Sequence, residues 1–331
     1  MAFTSMVKNL NEHQVIECMR DGHTHTKQEL ALSTGLSFPT VGKLIDGLVK
    51  EKKVLSIGTD ERSPGGRKAG LYRLDENFSH ALLLFVQEQK IFYAVSDALE
   101  KQTDRGEVRC ERGQSIVERM KEVIVQRMEQ DEKIQVIVVG IPGAVYRGQI
   151  KFIDGYEELK ERSLEKELAD YTGLSVQICN NMSALVYGAA KKMHRQENNL
   201  VCVHLASTGP GCGAVVNGKP ITGYKGFSGE VGFMPLFGDR TLQDVAMDHF
   251  NNVEPGEYLG KLISCICALM NPENITLYLE QDWKNIEKET YDWCKKFLPE
   301  EIIPRLTFSD SYQEDYLYGL TALGTDMLFD F

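Results

Sequence analysis

The sequence predicts a two-part chain, in which an N-terminal unit of helices ending in a β-hairpin precedes a larger α/β body. Three observations predict it. Capping residues and glycines punctuate a run of short helices before residue 51. Beyond residue 79, apolar strands alternate with helical stretches. Charge divides at the same place: Met1–Ser79 hold 11 Lys+Arg against 10 Asp+Glu, and the remainder of the 331 residues holds 26 against 38. The formal net charge of −11 excludes a chain that coats nucleic acid along its whole length, but not a DNA-reading segment at one end.

In the first segment Leu10, Val15, Ile16 and Met19 are read as one helical stripe, broken at Asp21-Gly22-His23-Thr24. Thr26 caps a second helix, with Glu29 three residues on completing a capping box, and Gly35 closes it. Ser37 caps a third helix with Pro39 in its first turn, where the missing N–H costs nothing, and Val41, Leu44, Ile45 and Leu48 form its buried stripe. Two helices joined by a glycine-containing turn fit a helix-turn-helix whose second helix enters the major groove by its N-terminal residues. Ser37, Thr40 and Lys43 then face DNA. The following VLSIGTDERSPGGRKAGLYRL reads as two strands around a basic, glycine-rich tip, a winged-helix hairpin from which Arg62, Arg67 and Lys68 reach phosphate or the minor groove. A helical protein-binding module with a solvated basic hairpin stays open as the alternative.

The body opens with HALLLFVQEQKIFYAVSDALEK. VIVVGIPGAV (Val136 to Val145) reads as one buried strand running into a turn, SVQICNN as another, and LVCVHLASTGPGCGAVVNGK as a strand, a glycine-rich turn and a strand. ITLYLE follows a long apolar helix over Tyr258 to Met270. A hydrophobic content of 42% is that of an ordinary globular chain. With no signal-like leader and no membrane-length apolar run, a cytoplasmic protein without membrane contact is expected. The eight cysteines are scattered without a CxxC pair, as reduced core thiols would be.

GIPGAV, NNMSALVYGAA, STGPGCGAVVNGKPITGYKGFSGEVGF and NPENITLYLE follow SPGGRKAGLYRL in the order found in the ROK family of sugar kinases and transcriptional repressors, which the chain resembles over nearly its whole length. The resemblance implies an N-terminal winged helix attached to a two-lobed α/β body with the actin-like, hexokinase-like and ribonuclease H-like ATPase fold, closing around a sugar, as a homodimer or homotetramer. It implies a division into residues 1–78, 79–190 and 191–331, the C-terminal helix returning to the first lobe.

Four features of the family's kinases are altered here. Gln87-Glu88-Gln89 replace the glycines of a phosphate turn resembling DxGGT, where close-approaching backbone N–H groups are needed. ICNNMSALVYG set on a motif resembling ENDANAAA puts Asn180 on its Asn and Asn181 on the catalytic Asp, and an amide takes no proton from a sugar hydroxyl near neutral pH. Both asparagines can equally cap the following helix. Gly229-Glu230-Val231-Gly232-Phe233 stands where the family has GEIGH, keeping the carboxylate and replacing the zinc-binding His, and PLFGDRTLQDVAMDHF lacks the cysteines of CxCGxxGCxE. Cys265 and Cys267 lie two apart in an apolar helix and point to different faces. Ser207-Thr208-Gly209-Pro210-Gly211-Cys212-Gly213 resembles a second glycine-rich turn, which alone does not make an ATP site.

The expected function is a DNA-binding regulator, a repressor of carbohydrate uptake or use, whose kinase-like domain senses a sugar or sugar phosphate without catalysis. Gly143, Asn180, Asn181, Glu230 and Phe233 are the expected effector contacts, with no metal and no cofactor. Two alternatives stay open: a DNA-binding or oligomerisation protein without an effector, and a residual ATP-dependent sugar kinase.

Overall fold

The computed structural model describes residues 2–60, 68–153, 155–193, 199–206, 209–281, 283 and 285–329, with side chains from Val7 onward. Helix α1 (Ala2–Met19), the two-residue strand β1 (His25–Thr26), helices α2 (Lys27–Thr34) and α3 (Phe38–Lys50), and strands β2 (Val54–Thr59) and β3 (Gly70–Leu74) form the N-terminal unit. Thr26 Oγ1 accepts the Glu29 N–H while the Glu29 carboxylate accepts the Thr26 N–H, so the capping box is complete. Gly35 ends α2 at φ +71°, the left-handed conformation that glycine adopts without steric cost. Ser37 Oγ accepts the Thr40 N–H at 3.3 Å to start α3. Val15, Ile16, Met19, Leu30, Val41, Leu44, Ile45 and Leu48 bury their side chains in one core.

Leu10 is not part of that stripe and is 60% exposed. Nine residues make two and a half helical turns, so Leu10 lies on the opposite side of α1 from Met19. Strand β1, too short to carry a periodicity, pairs antiparallel with β3 and turns the β2–β3 hairpin into a three-stranded sheet.

Among the described residues the body contains two five-stranded sheets of the same topology. In the first, β4 (His80–Gln87), β5 (Lys90–Ser96) and β6 (Gln102–Arg109) form an antiparallel meander, and β7 (Ile134–Ile141) and β10 (Ser175–Asn180) add parallel beside β4. Helix α4 (Ile116–Gln130) lies between β6 and β7 in the chain. The run Val136–Val145 is two strands rather than one. It breaks at Pro142, which has no N–H for the ladder, and β8 (Gly143–Tyr146) turns away to pair with β9 (Gln149–Ile153) in a separate ribbon. Helix α5 (Leu164–Thr172) leads into β10, and α6 (Asn181–Lys192) follows it directly.

In the second sheet β11 (Leu200–Ala206), β12 (Gly209–Val216) and β13 (Lys219–Pro220) repeat the meander. Strands β14 (Asn274–Leu279) and β15 (Arg305–Ser309) repeat the parallel pair. Helices α7 (Leu242–Met247), α8 (Pro255–Met270) and α9 (Ile286–Cys294) accompany this sheet, and α10 (Tyr312–Leu328) follows it. Helix α10 crosses back to the first sheet: a Cβ added at Gly324 would lie 2.8 Å from Ala81 Cβ of β4, and one at Gly140 of β7 would lie 1.9 Å from Tyr316 Oη. Among the described residues no helix is long and apolar enough to cross a membrane.

Candidate functional site

A cleft of about 750 Å³ opens between the two sheets. Gly143, Asn180, Asn181, Glu230 and Phe233 all line it. Asn180 ends β10 and caps α6, its Oδ1 accepting the Ser183 N–H at 2.9 Å and its Nδ2 donating to the Gly143 carbonyl at 2.9 Å. That amide therefore holds the strand, the helix and the β7–β8 corner together. Asn181, the first residue of α6, instead donates its Nδ2 to Tyr312 Oη at 3.2 Å. Its carbonyl oxygen is an acceptor with no basic lone pair, so the position can hold a hydroxyl but cannot deprotonate one.

Glu230 lines the same cleft. Gly229 before it has φ +92°, and a Cβ there would lie 2.0 Å from the Cys212 carbonyl. Only glycine lets this segment dock on β12, where the Cys212 N–H donates to Gly229 O at 3.2 Å. Burial pushes the Glu230 carboxyl above its ordinary range. Phe233 stays 53% exposed at the mouth, edge-on to Phe152 with ring centroids 5.5 Å apart and tilted on Phe227 at 5.3 Å. A partly exposed aromatic face beside a carboxylate suits the apolar C–H face and the hydroxyl edge of a polyol.

Three residues that line the cleft carry no clear mark in the sequence. His204 of β11 stacks on Tyr312 of α10 with centroids 3.7 Å apart and planes at 12°. Burial drives His204 down to about 4 and Tyr312 up to about 12. The imidazole is neutral near pH 7, so the 3.7 Å approach of Glu280 is not an ion pair. A histidine in LVCVHLA looks like an occasional polar residue in a buried strand, and nothing local to it points to a partner more than a hundred residues on. Gln243 of α7 covers the second glycine-rich turn, its Oε1 1.9 Å from where a Gly209 Cβ would stand.

The first turn is closed by Glu88 and Gln89, both left-handed at φ +49° and +59°, and Gln313 of α10 donates to Gln87 Oε1 at 3.4 Å. The glycines of the second turn lie mostly within β12, where they serve packing: a Cβ on Gly213 would sit 2.3 Å from the Met182 carbonyl at the start of α6. Ser207 and Thr208 lie outside the described residues. Glu88, Glu230, Asp244 and Glu280 place carboxylates on the wall, and among the described residues the cleft has no lysine or arginine. Among the described residues a phosphate ester would find no cation there.

All eight cysteines are free thiols, with burial pushing Cys179 and Cys212 up to about 12. Cys267 is buried and Cys265 partly exposed. No group of three or more His, Cys, Asp or Glu residues is disposed to hold a metal among the described residues.

In the N-terminal unit Ser37 and Lys43 are exposed and Thr40 half-buried on one side of the head of α3. Ser37 Oγ lies 2.8 Å from Thr40 Oγ1, and the Lys27 ammonium donates to Asp46 at 2.6 Å to tie α2 to α3. Lys68 is exposed on the hairpin, while Arg62 and Arg67 lie outside the described residues.

A model of the ROK family matches residues 88–267. The xylose repressor of Bacillus subtilis (strain 168) is 24% identical over 247 residues, 71% of this chain and 63% of that protein. The xylose repressor of Staphylococcus xylosus is 23% identical over 235 residues, 69% of this chain and 61% of that one. The chain therefore matches less than two thirds of the length of these curated relatives. Among solved structures, a ROK family transcriptional regulator described as a homologue of E. coli MLC protein superposes with a TM-score of 0.77, at 16% identity, over 98% of each chain. The ROK hexokinase of Thermus thermophilus superposes at 0.61 with 18% identity, covering 76% of this chain and 100% of its own. Likeness at such identities shows the fold, the actin-like kinase fold of a two-lobed body. With the family model covering more than half of its residues, the chain belongs to the ROK family.

Proposed function

We propose that the protein is a sugar-responsive transcriptional repressor. Residues 1–78 act as a winged helix that reads double-stranded DNA. Residues 79–190 and 191–331 act as the two lobes of a sensor that binds sugar without phosphorylating it, with α10 completing the first lobe. The observation that carries the reading is the amide of Asn181 at the head of α6, hydrogen-bonded to Tyr312. No group at that position takes a proton from an attacking hydroxyl. The kinase-like body thus serves binding, and the N-terminal unit supplies a consequence for that binding.

Ser37, Thr40 and Lys43 would enter the major groove at the head of α3, with Arg62, Arg67 and Lys68 on the hairpin reaching phosphates. A homodimer would present two such units to half-sites about 34–36 Å apart or a multiple of that. The acidic, aromatic cleft favours an unphosphorylated sugar, gripped by Asn181 and Glu230 and stacked on Phe233. Effector binding would change lobe closure, and the states must differ in affinity for the effector if DNA binding is to respond. The repressors among the relatives support the regulatory branch, and the kinases among the solved structures support only the fold.

The test is fluorescence anisotropy on DNA from upstream of the protein's own gene, at fixed salt, with paired sugars and sugar phosphates. Specific binding released by an unphosphorylated sugar is the expected result. Release by a phosphate ester alone would remove the charge argument. ATP-dependent sugar phosphorylation in a coupled assay would overturn the reading of a non-catalytic sensor.

A further inference from the structure

Arg20, at the end of α1, is 11% exposed and stands among three carboxylates from three parts of the molecule. It pairs with Glu17 of α1, with Glu100 in the turn after β5 at 2.5 Å, and with Asp326 of α10 at 3.3 Å. Asp326 also accepts from Tyr187 and, at 3.5 Å, from Lys191, both on α6. A guanidinium shared in this way is a joint: without it Glu100 loses its ion pair with Arg20, and Glu17 and Asp326 keep, among the described residues, only the counter-charge of Lys191, at 3.9 and 3.5 Å. It is where the N-terminal unit, α6 and α10 meet.

The same two helices begin in the cleft. Asn181 at the head of α6 donates to Tyr312 at the head of α10. Seven residues on, Gly188 faces Gly319, and a Cβ on either would lie within 2.7 Å of the other helix's backbone. Seven residues further along α10 comes Asp326. Spacing by seven keeps Tyr312, Gly319 and Asp326 on one face of the helix, and the fourteen residues between the first and last span about 21 Å. Helices α6 and α10 therefore run parallel, tied at the cleft by an amide, in backbone contact midway, and tied at the joint by Asp326. Met182 of α6 packs under Gly211 and Gly213 of the second sheet, so a shift of that sheet acts directly on the cleft end of the pair.

We infer that the α6–α10 pair carries the state of the cleft to the N-terminal unit, with Arg20 as the coupling residue at its far end. The inference deepens the repressor reading and rests on it for its purpose. The physical requirement is an element whose two ends respond together.

Hydrogen exchange by mass spectrometry on the full chain tests this without DNA or sugar, using wild type, Asn181→Leu, Arg20→Met and the double variant. Asn181→Leu removes the bond to Tyr312 and is expected to change amide exchange over residues 7–27 at least threefold, an effect that vanishes when Arg20 is already Met. An effect confined to the cleft, or equal in both backgrounds, overturns the inference. If Arg20→Met does not fold, Glu100→Gln loosens the same joint and serves in its place. Sequence-specific DNA binding is read on the same wild-type preparation. Its absence removes the repressor reading and leaves the coupling result standing, whereas DNA binding without coupling removes only this inference.

Discussion

The two sheets repeat one topology and end their leading hairpins differently. Matched by register from the turn, Phe85 and His204 occupy equivalent places on β4 and β11, and Phe92 and Ala94 of β5 correspond to Gly211 and Gly213 of β12. Each leading strand sets a ring on α10: Phe85 on Tyr316 with centroids 4.9 Å apart, His204 on Tyr312 at 3.7 Å. The first sheet carries side chains at these places, whereas the second has glycines there that let Met182 of α6 approach. The difference teaches that glycine spacing resembling a phosphate turn can record close helix–strand packing instead.

The largest expected effect comes from giving the second sheet the first sheet's residue. Gly213→Ala copies Ala94 but drives a methyl against the Met182 carbonyl. A loss of about 3 kcal/mol is expected from overpacking, read by urea denaturation. A loss below about 1 kcal/mol would mean that α6 can retreat from β12 at little cost.

Next is His204. Its folded value of about 4 lies below the ordinary 6.5, so between these values the unfolded chain holds a proton that the folded chain refuses. Stability is then expected to rise with pH across that window and to be lost as pH falls through it, by ~3 kcal/mol in all. His204→Phe copies Phe85 and is expected to abolish this acid-side slope, measured as melting temperature from pH 4 to 7. An unchanged slope would place the acid sensitivity elsewhere.

Glu230 has the opposite sign. Burial raises its folded value above the ordinary 4.5, so the folded chain keeps a proton after the unfolded chain has released it. Stability declines as pH rises from 4.5 through the raised value, and Glu230→Gln is expected to flatten that decline in the ligand-free protein. The smallest effect belongs to the first turn. Gln89→Gly relieves a left-handed residue at φ +59° and is expected to stabilise by about 1 kcal/mol, read in the same urea titration. Destabilisation would mean that the Gln89 side chain holds the turn more strongly than its backbone strains it.

Much of the N-terminal unit was legible because its signals are local. Thr26 with Glu29, Ser37 with Pro39, and the stripe Val41, Leu44, Ile45 and Leu48 each declare themselves within one or two turns of helix. Leu10 misled because apolar character was read without its angle, and the run Val136–Val145 showed its turn but not that Gly143–Tyr146 goes on as a strand, since that depends on pairing with β9. In the body, the resemblance carried the two lobes, and the altered positions Asn181 and Phe233 stood out against it. The His204–Tyr312 stack was illegible because neither residue has a local reason to seek the other. The same holds for Asn180, whose cap is visible in NNMS while its hold on Gly143 depends on how β7 and β10 pair.

The contact between Gly188 and Gly319 has one further consequence. Where two helices meet backbone to backbone, the point of contact itself has no side-chain rotamers to redistribute, and so contributes little configurational entropy when load is applied. An ordinary leucine-filled interface absorbs a small displacement by letting methyl groups hop between wells. At the Gly188–Gly319 contact there is no such side chain between the two backbones. It behaves as a strut, stiff from the outset, and its mechanical character is set by two hydrogen atoms where other helix pairs carry side chains.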